Sequence, residues 1–157
     1  TATNTVTASV NVGSMPIGVA VTPTLEPEIN TTPETNTTQI TTDTSNQLNL
    51  DVYGDRIVWQ DDRNGGNAEY WSPAGNWDIY MYDVSTSTEF QITTGESCQI
   101  NPAIYGNKIV WQDDRGGKSD IYMYDLSTQQ EIQISTSGTA FYPAIYGDRL
   151  VWPDTRH

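Results

Sequence analysis

The chain has 157 residues, room for one ordinary domain and not for a second large catalytic one. Twenty Asp and Glu stand against seven Lys and Arg, a formal net charge of −13. That balance makes nucleic acid and anionic membrane surfaces poor candidates as partners, and leaves cations, neutral glycans and other protein surfaces open.

The chain opens on Thr rather than Met, which leads us to expect a mature secreted chain or a fragment, and so an extracellular or cell-surface location. Residues 1–36 read as an N-terminal arm. Within it, 5–12 alternates Val6, Ala8, Val10 and Val12, the period of a strand available for assembly, and 17–22 is a second β-like run. Residues 23–33 are acidic and rich in Thr and Pro, as an extended tether would be. Asn30 and Asn36 each head an Asn-Thr-Thr sequon and are candidate glycosylation sites. No apolar run reaches the roughly 18 residues of a membrane span.

From residue 37 onward three phrases recur. Ile-Val-Trp-Gln-Asp-Asp-Arg occurs at Ile57 and Ile109, and returns as Leu-Val-Trp-Pro-Asp-Thr-Arg at Leu150. Asp-Ile-Tyr-Met-Tyr-Asp occurs at Asp78 and Asp120; Gln-Ile-Thr occurs at Gln39 and Gln91, and Gln-Ile-Ser at Gln133. The return from Asp78 to Asp120 takes 42 residues, the length of a four-stranded propeller blade. An all-β, partial β-propeller follows: blade 1 over about 49–92, blade 2 over about 101–134, and a half blade at 141–157 completed by 37–42. Both faces of the strands are apolar: Ile109 and Trp111 oppose Val110, and Tyr122, Tyr124 and Leu126 oppose Ile121 and Met123. Such a sheet must be sandwiched by neighbours. Blade 1 carries ten extra residues between Asp62 and Asp78, a longer hairpin loop holding Tyr70 and Trp71. Either β-like run of the arm is expected to supply a strand that the half blade lacks, its own or a neighbour's.

Three constellations invite a functional reading. Asp61, Asp62 and Asp78, with their counterparts Asp113, Asp114 and Asp120, gather hard oxygen donors around a Gly-rich hairpin, as a Ca²⁺ site would. The competing account is turn hydrogen bonding and pairing with Arg63 or Arg115. Trp59, Trp111 and Trp152 recur at one repeat position and read as blade-to-blade packing. Tyr70, Trp71 and Trp77 break the repeat and are candidates for glycan stacking or a subunit contact, with simple loop packing the equal alternative. Cys98 stands alone, so no disulfide can form within the chain, and it reads as a small buried residue. His157 is terminal, no zinc spacing or phosphate-cradling Gly motif is present, and the paired carboxylates sit at repeated turn positions. We therefore expect no enzymatic activity.

The three linked phrases resemble the TolB-like branch of β-propellers, and look most like tandem propeller repeats of archaeal surface-layer and secreted proteins. The resemblance covers about 37–157. It implies six or seven blades, a non-enzymatic extracellular or periplasmic role, and contacts with proteins or the envelope. Two blades and a composite one fall short of that number. The expectation is a structural protein that associates with copies of itself through blades and strand exchange, into a surface layer, filament or closed oligomer. The alternative is a cell-surface module binding glycans or proteins.

Overall fold

The computed structural model describes residues 7–9, 37–65 and 75–156. Among these, every regular element is a β-strand. β1 (Thr7–Ser9) and β2 (Thr37–Gln39) form a small sheet of their own. Blade 1 is β3 (Gln47–Tyr53), β4 (Arg56–Asp61), β5 (Asp78–Asp83) and β6 (Thr88–Gln91); blade 2 is β7 (Gln99–Tyr105), β8 (Lys108–Asp113), β9 (Asp120–Asp125) and β10 (Gln130–Gln133). In both, strands lie in chain order and run antiparallel. β11 (Ala144–Tyr146) and β12 (Arg149–Val151) make the antiparallel half blade.

Each recurrent phrase has a backbone cause. Tyr-Gly turns the first hairpin, with Gly54, Gly106 and Gly147 at φ of 59°, 60° and 63°, the left-handed region glycine enters without strain. Gln-Ile-Thr folds the chain back after the fourth strand. The N–H groups of Ile92 and Thr93 both donate to the Ile79 carbonyl, the Ile79 N–H donates to Thr93 Oγ1 at 2.8 Å, and that hydroxyl donates to Asp78 Oδ1 at 3.1 Å. Ile134, Ser135, Ile121 and Asp120 repeat the arrangement.

Blades stack through the faces read from the alternation. Val58, Ile79 and Met81 of blade 1 meet Ile104, Ile109 and Trp111 of blade 2, with Tyr122, Tyr124 and Leu126 against the edge. The opposite face of blade 1 buries Ile57, Trp59 and Tyr80 with Ile40. Each fully buried side chain of this size stabilises by roughly 1.5–3 kcal/mol. Polar bonds fix the angle between blades: Asp51 Oδ2 accepts the Ile104 N–H at 2.8 Å, and Arg56 donates to the Gly106 carbonyl and, at 2.7 Å, to Asn107 Oδ1.

Within this chain the ends pair as follows. β2 does not join the half blade; β1–β2 and β11–β12 are separate sheets. The arm strand containing Ala8 does not take the third-strand place either. It pairs parallel with β2 of the same chain, Thr7 opposite Thr37, whereas third and fourth strands are antiparallel in both complete blades. Val6, Val10, Val12, residues 17–22, Asn30, Asn36, Tyr70, Trp71 and His157 lie outside the described residues.

Candidate functional site

The aspartates that suggested a cation are the centre of a repeated clamp. Trp59 Nε1 donates to Asp61 Oδ2 at 3.0 Å, Arg63 donates its N–H to Oδ1 at 2.9 Å and a guanidinium N–H to Oδ2 at 2.6 Å. The same guanidinium bonds Glu89 at 2.6 Å and lies 4.0 Å above the Tyr80 ring. Blade 2 reproduces this with Trp111, Asp113, Arg115, Glu131 and Tyr122; the cation sits 4.1 Å over the ring. One Arg thereby ties the second, third and fourth strands of its blade together, through charge-assisted bonds and a cation–π contact. Burial opposes the charge of Arg63, but the bonds to Asp61 and Glu89 outweigh it and raise its pKa.

The remaining candidate carboxylates differ between blades. Asp62 accepts the backbone N–H and side-chain amide of Asn46 at 2.9 and 2.7 Å. Asp78 accepts from Asn64 and Thr93, and burial raises its pKa. Asp120 accepts from Ser135, Gly138 and Gln133. Asp114 has lost its clamp: where blade 1 has Asn46, blade 2 has Cys98, and Asp114 Oδ1 is buried without a hydrogen-bond partner. Burial pushes the Asp114 pKa up, and neighbouring Asp113 adds to it against a bond from Ser119. Among the described residues no group of three or more His, Cys, Asp or Glu is arranged to hold a metal ion.

A folded-state pKa above the unfolded one means that this group favours folding when protonated and loses that contribution as pH rises through the folded pKa. Asp114→Asn is therefore expected to melt higher than the parent at pH 7, with the gain vanishing below the ordinary carboxylate range. Thermal unfolding at pH 7 and pH 3 checks this; an unchanged or lower Tm at pH 7 contradicts it.

For Trp77 the packing alternative holds. It is 3% exposed, and its carbonyl accepts the Gln99 N–H at 2.7 Å, so it is no surface contact. Cys98 is buried as expected, its thiol 2.6 Å from the Gly75 carbonyl.

Two rows along the innermost strands escaped the sequence reading. Gln60 Oε1 accepts from the Asn49 side chain and the Asn101 N–H, and Gln112 Oε1 accepts from the Asn101 side chain and the Tyr142 N–H. The residues met by this ladder, Asn49, Asn101 and Tyr142, all have positive φ. It ends at Pro153, the counterpart of Gln60 and Gln112. At the hairpin end of the same strands the rings of Tyr53, Tyr105 and Tyr146 follow one another at 4.6 and 5.0 Å, with Tyr53 and Tyr146 exposed. The signal was recurrence inside the repeat, complete for the Tyr row and in two of three copies for the Gln row, which reads equally as packing.

The half blade leaves its outer face open. Val58 and Val110 are 0% exposed, and their counterpart Val151 is 63% exposed. Asp154 and Arg156 keep the first half of the clamp: the Arg156 N–H donates to Asp154 Oδ1 at 3.0 Å and Nε lies 3.0 Å from Oδ2. Trp152 forms no bond to Asp154, and among the described residues nothing supplies the Tyr and Glu.

No family model matches the sequence. No curated protein matches it. Among solved structures, the chain is similar to TolB from Acinetobacter baumannii at 20% identity and a TM-score of 0.55, over 72% of this chain and 28% of that one. A putative TolB from Agrobacterium tumefaciens matches at 20% identity and a TM-score of 0.44, over 63% of this chain and 50% of that one. The tricorn protease matches at 20% identity and a TM-score of 0.46, over 59% of this chain and 8% of that one. The chain thus spans half or less of the length of each of these structures. Antiparallel four-stranded sheets stacked face to face in chain order, together with the Acinetobacter TolB likeness, make the fold of this chain part of a TolB-like β-propeller.

Proposed function

We propose that this chain is a non-enzymatic, extracellular structural protein that works by assembly with copies of itself through its blade faces and strand exchange. The observation that carries the reading is the contrast at one repeat position: valine sealed at 58 and 110, and open at 151. Burying that face, with the neighbouring exposed Tyr142 and Tyr146, provides the drive for association. A head-to-tail contact of this kind need not close, and so can give a closed oligomer, a filament or a layer. The polar, Thr-rich arm with its two sequons supports a location outside the cell.

Mass photometry and sedimentation of the 157-residue chain at micromolar concentration test this. Oligomers that fall apart in Val151→Asp are expected; a compact monomer at every concentration defeats the reading. A second reading, a module binding glycans or proteins, is favoured by the Tyr53–Tyr105–Tyr146 row, whose two end rings are exposed, since aromatic faces suit sugar rings. Tyr70 and Trp71 are candidates for the same contact.

A further inference from the structure

We propose that the outer edges of β6 and β10 are acceptor sites for the N-terminal arm strand, residues 5–12, of a second copy of this chain. This rests on the reading that copies associate, and names the strand exchanged and the edges that take it. β2 supplies the precedent within the chain. It has the character of a fourth strand: Gln39 donates to the Thr41 carbonyl at 2.8 Å as Gln91 donates to that of Thr93, and Ile40 packs into blade 1. Its edge is not left bare. β1 adds to it in parallel, with Thr7 opposite Thr37, Ala8 opposite Thr38 and Ser9 opposite Gln39.

β6 and β10 are the outermost strands of their blades, and among the described residues neither has a neighbour on its outer side. Both lie inside the repeats, so their edges would be the same in an array of any length. At the position of Thr38, β6 carries Phe90 and β10 carries Ile132, 43% and 47% exposed. Phe90 stands opposite Met81, on the face turned towards blade 2, and stays open although all four strands of blade 2 are present. Edge strands are commonly guarded by charge. Here the one charged side chain on each, Glu89 or Glu131, is bonded by the Arg of its own blade at 2.6 Å.

The arm suits these edges better than it suits β2. In the register of β1 on β2, Ala8 falls opposite Phe90 or Ile132, and the alternation of Val6, Ala8, Val10 and Val12 lays apolar residues on the face of that side chain. β2 offers three residues with a threonine at the centre, whereas β6 and β10 offer four with a bulky apolar one. Exchange therefore adds apolar burial to the same kind of backbone pairing. Residues 1–13 carry no charged side chain, so the strand meets this acidic chain without repulsion.

The test adds a labelled synthetic peptide with the sequence of residues 1–13 to the full chain and follows fluorescence anisotropy. Saturable uptake is expected, weakened about tenfold or more when Phe90→Asp and Ile132→Asp are combined, as for losing the burial of a large apolar side chain. Ala8→Pro in the peptide, which removes a ladder donor and leaves the chain untouched, should weaken it likewise. Thr38→Asp should leave uptake unchanged. No uptake, uptake indifferent to these edge and peptide changes, or uptake that needs Thr38 overturns the proposal. Its failure and that of self-assembly are distinguishable. Oligomers that survive both edge substitutions and excess peptide keep assembly and defeat the edges; a chain monomeric by mass photometry that takes up the peptide through Phe90 and Ile132 keeps the acceptor edges and defeats assembly.

Discussion

Trp111→Ala is expected to destabilise the chain by about 3–5 kcal/mol, the range for truncating a fully buried large aromatic side chain. Trp111 is fully buried between blades, in contact with the cluster formed by Val58, Ile79 and Met81 on one side and Ile104 and Ile109 on its own. Its removal opens a cavity at the plane where the blades meet and takes from Asp113 one of its donors. The loss also reaches the cation–π pair, since the Tyr122 ring stacks beside the indole at 21° between planes. Urea unfolding followed by tryptophan fluorescence and circular dichroism measures it.

Trp152→Ala is the informative control. It changes the same residue type at the same repeat position, but Trp152 is half-buried and bonds nothing in Asp154. A cost within about 1 kcal/mol is expected there, the usual size for a change away from a packed core. Equal costs at 111 and 152 would show that the half blade is already sealed, and would remove the observation on which the proposed assembly stands.

How much of this was legible follows from what each pattern can encode. Strand faces were readable because alternation has one cause: Ile57 and Trp59 had to oppose Val58, and they do. The carboxylate clusters were readable as chemistry but left two accounts open, and the deciding partner was distant. Glu89 lies 26 residues from Arg63, on a strand whose register places it opposite Tyr82, and no local spacing announces that pair. Trp77 was ambiguous because it breaks the repeat, which suits a surface addition as well as loop packing. Its position is nonetheless a buried one, as the counterpart Ser119 shows by bonding the Ala140 carbonyl out of solvent. The direction of the arm strand was invisible for a different reason: alternation at 5–12 predicts a strand, but parallel and antiparallel partners satisfy it equally.

Asp113→Ala tests whether the clamp is a fastening for the blade or only an ornament of the turn. The carboxylate has no exposed side-chain surface and holds three donors: the Trp111 indole, the Arg115 N–H and its guanidinium. Removing it leaves a buried indole N–H unsatisfied and a partly exposed guanidinium held by Glu131, and a cost of about 1–3 kcal/mol is expected, the size for orphaning a buried donor. Arg115→Ala is expected to cost at least as much, because it leaves the Asp113 carboxylate, which has no exposed side-chain surface, without its counter-charge. Arg63, the more enclosed of the two, should cost more than Arg115 when truncated. The bond to Asp113 should survive 1 M salt, which screens the more exposed Arg115–Glu131 pair, so the Asp113→Ala deficit should persist at high salt while that of Glu131→Gln shrinks. Urea titrations of the four variants at low and high salt read this order directly. If Asp113→Ala cost no more than Glu131→Gln, the carboxylate would be a turn residue with adventitious neighbours.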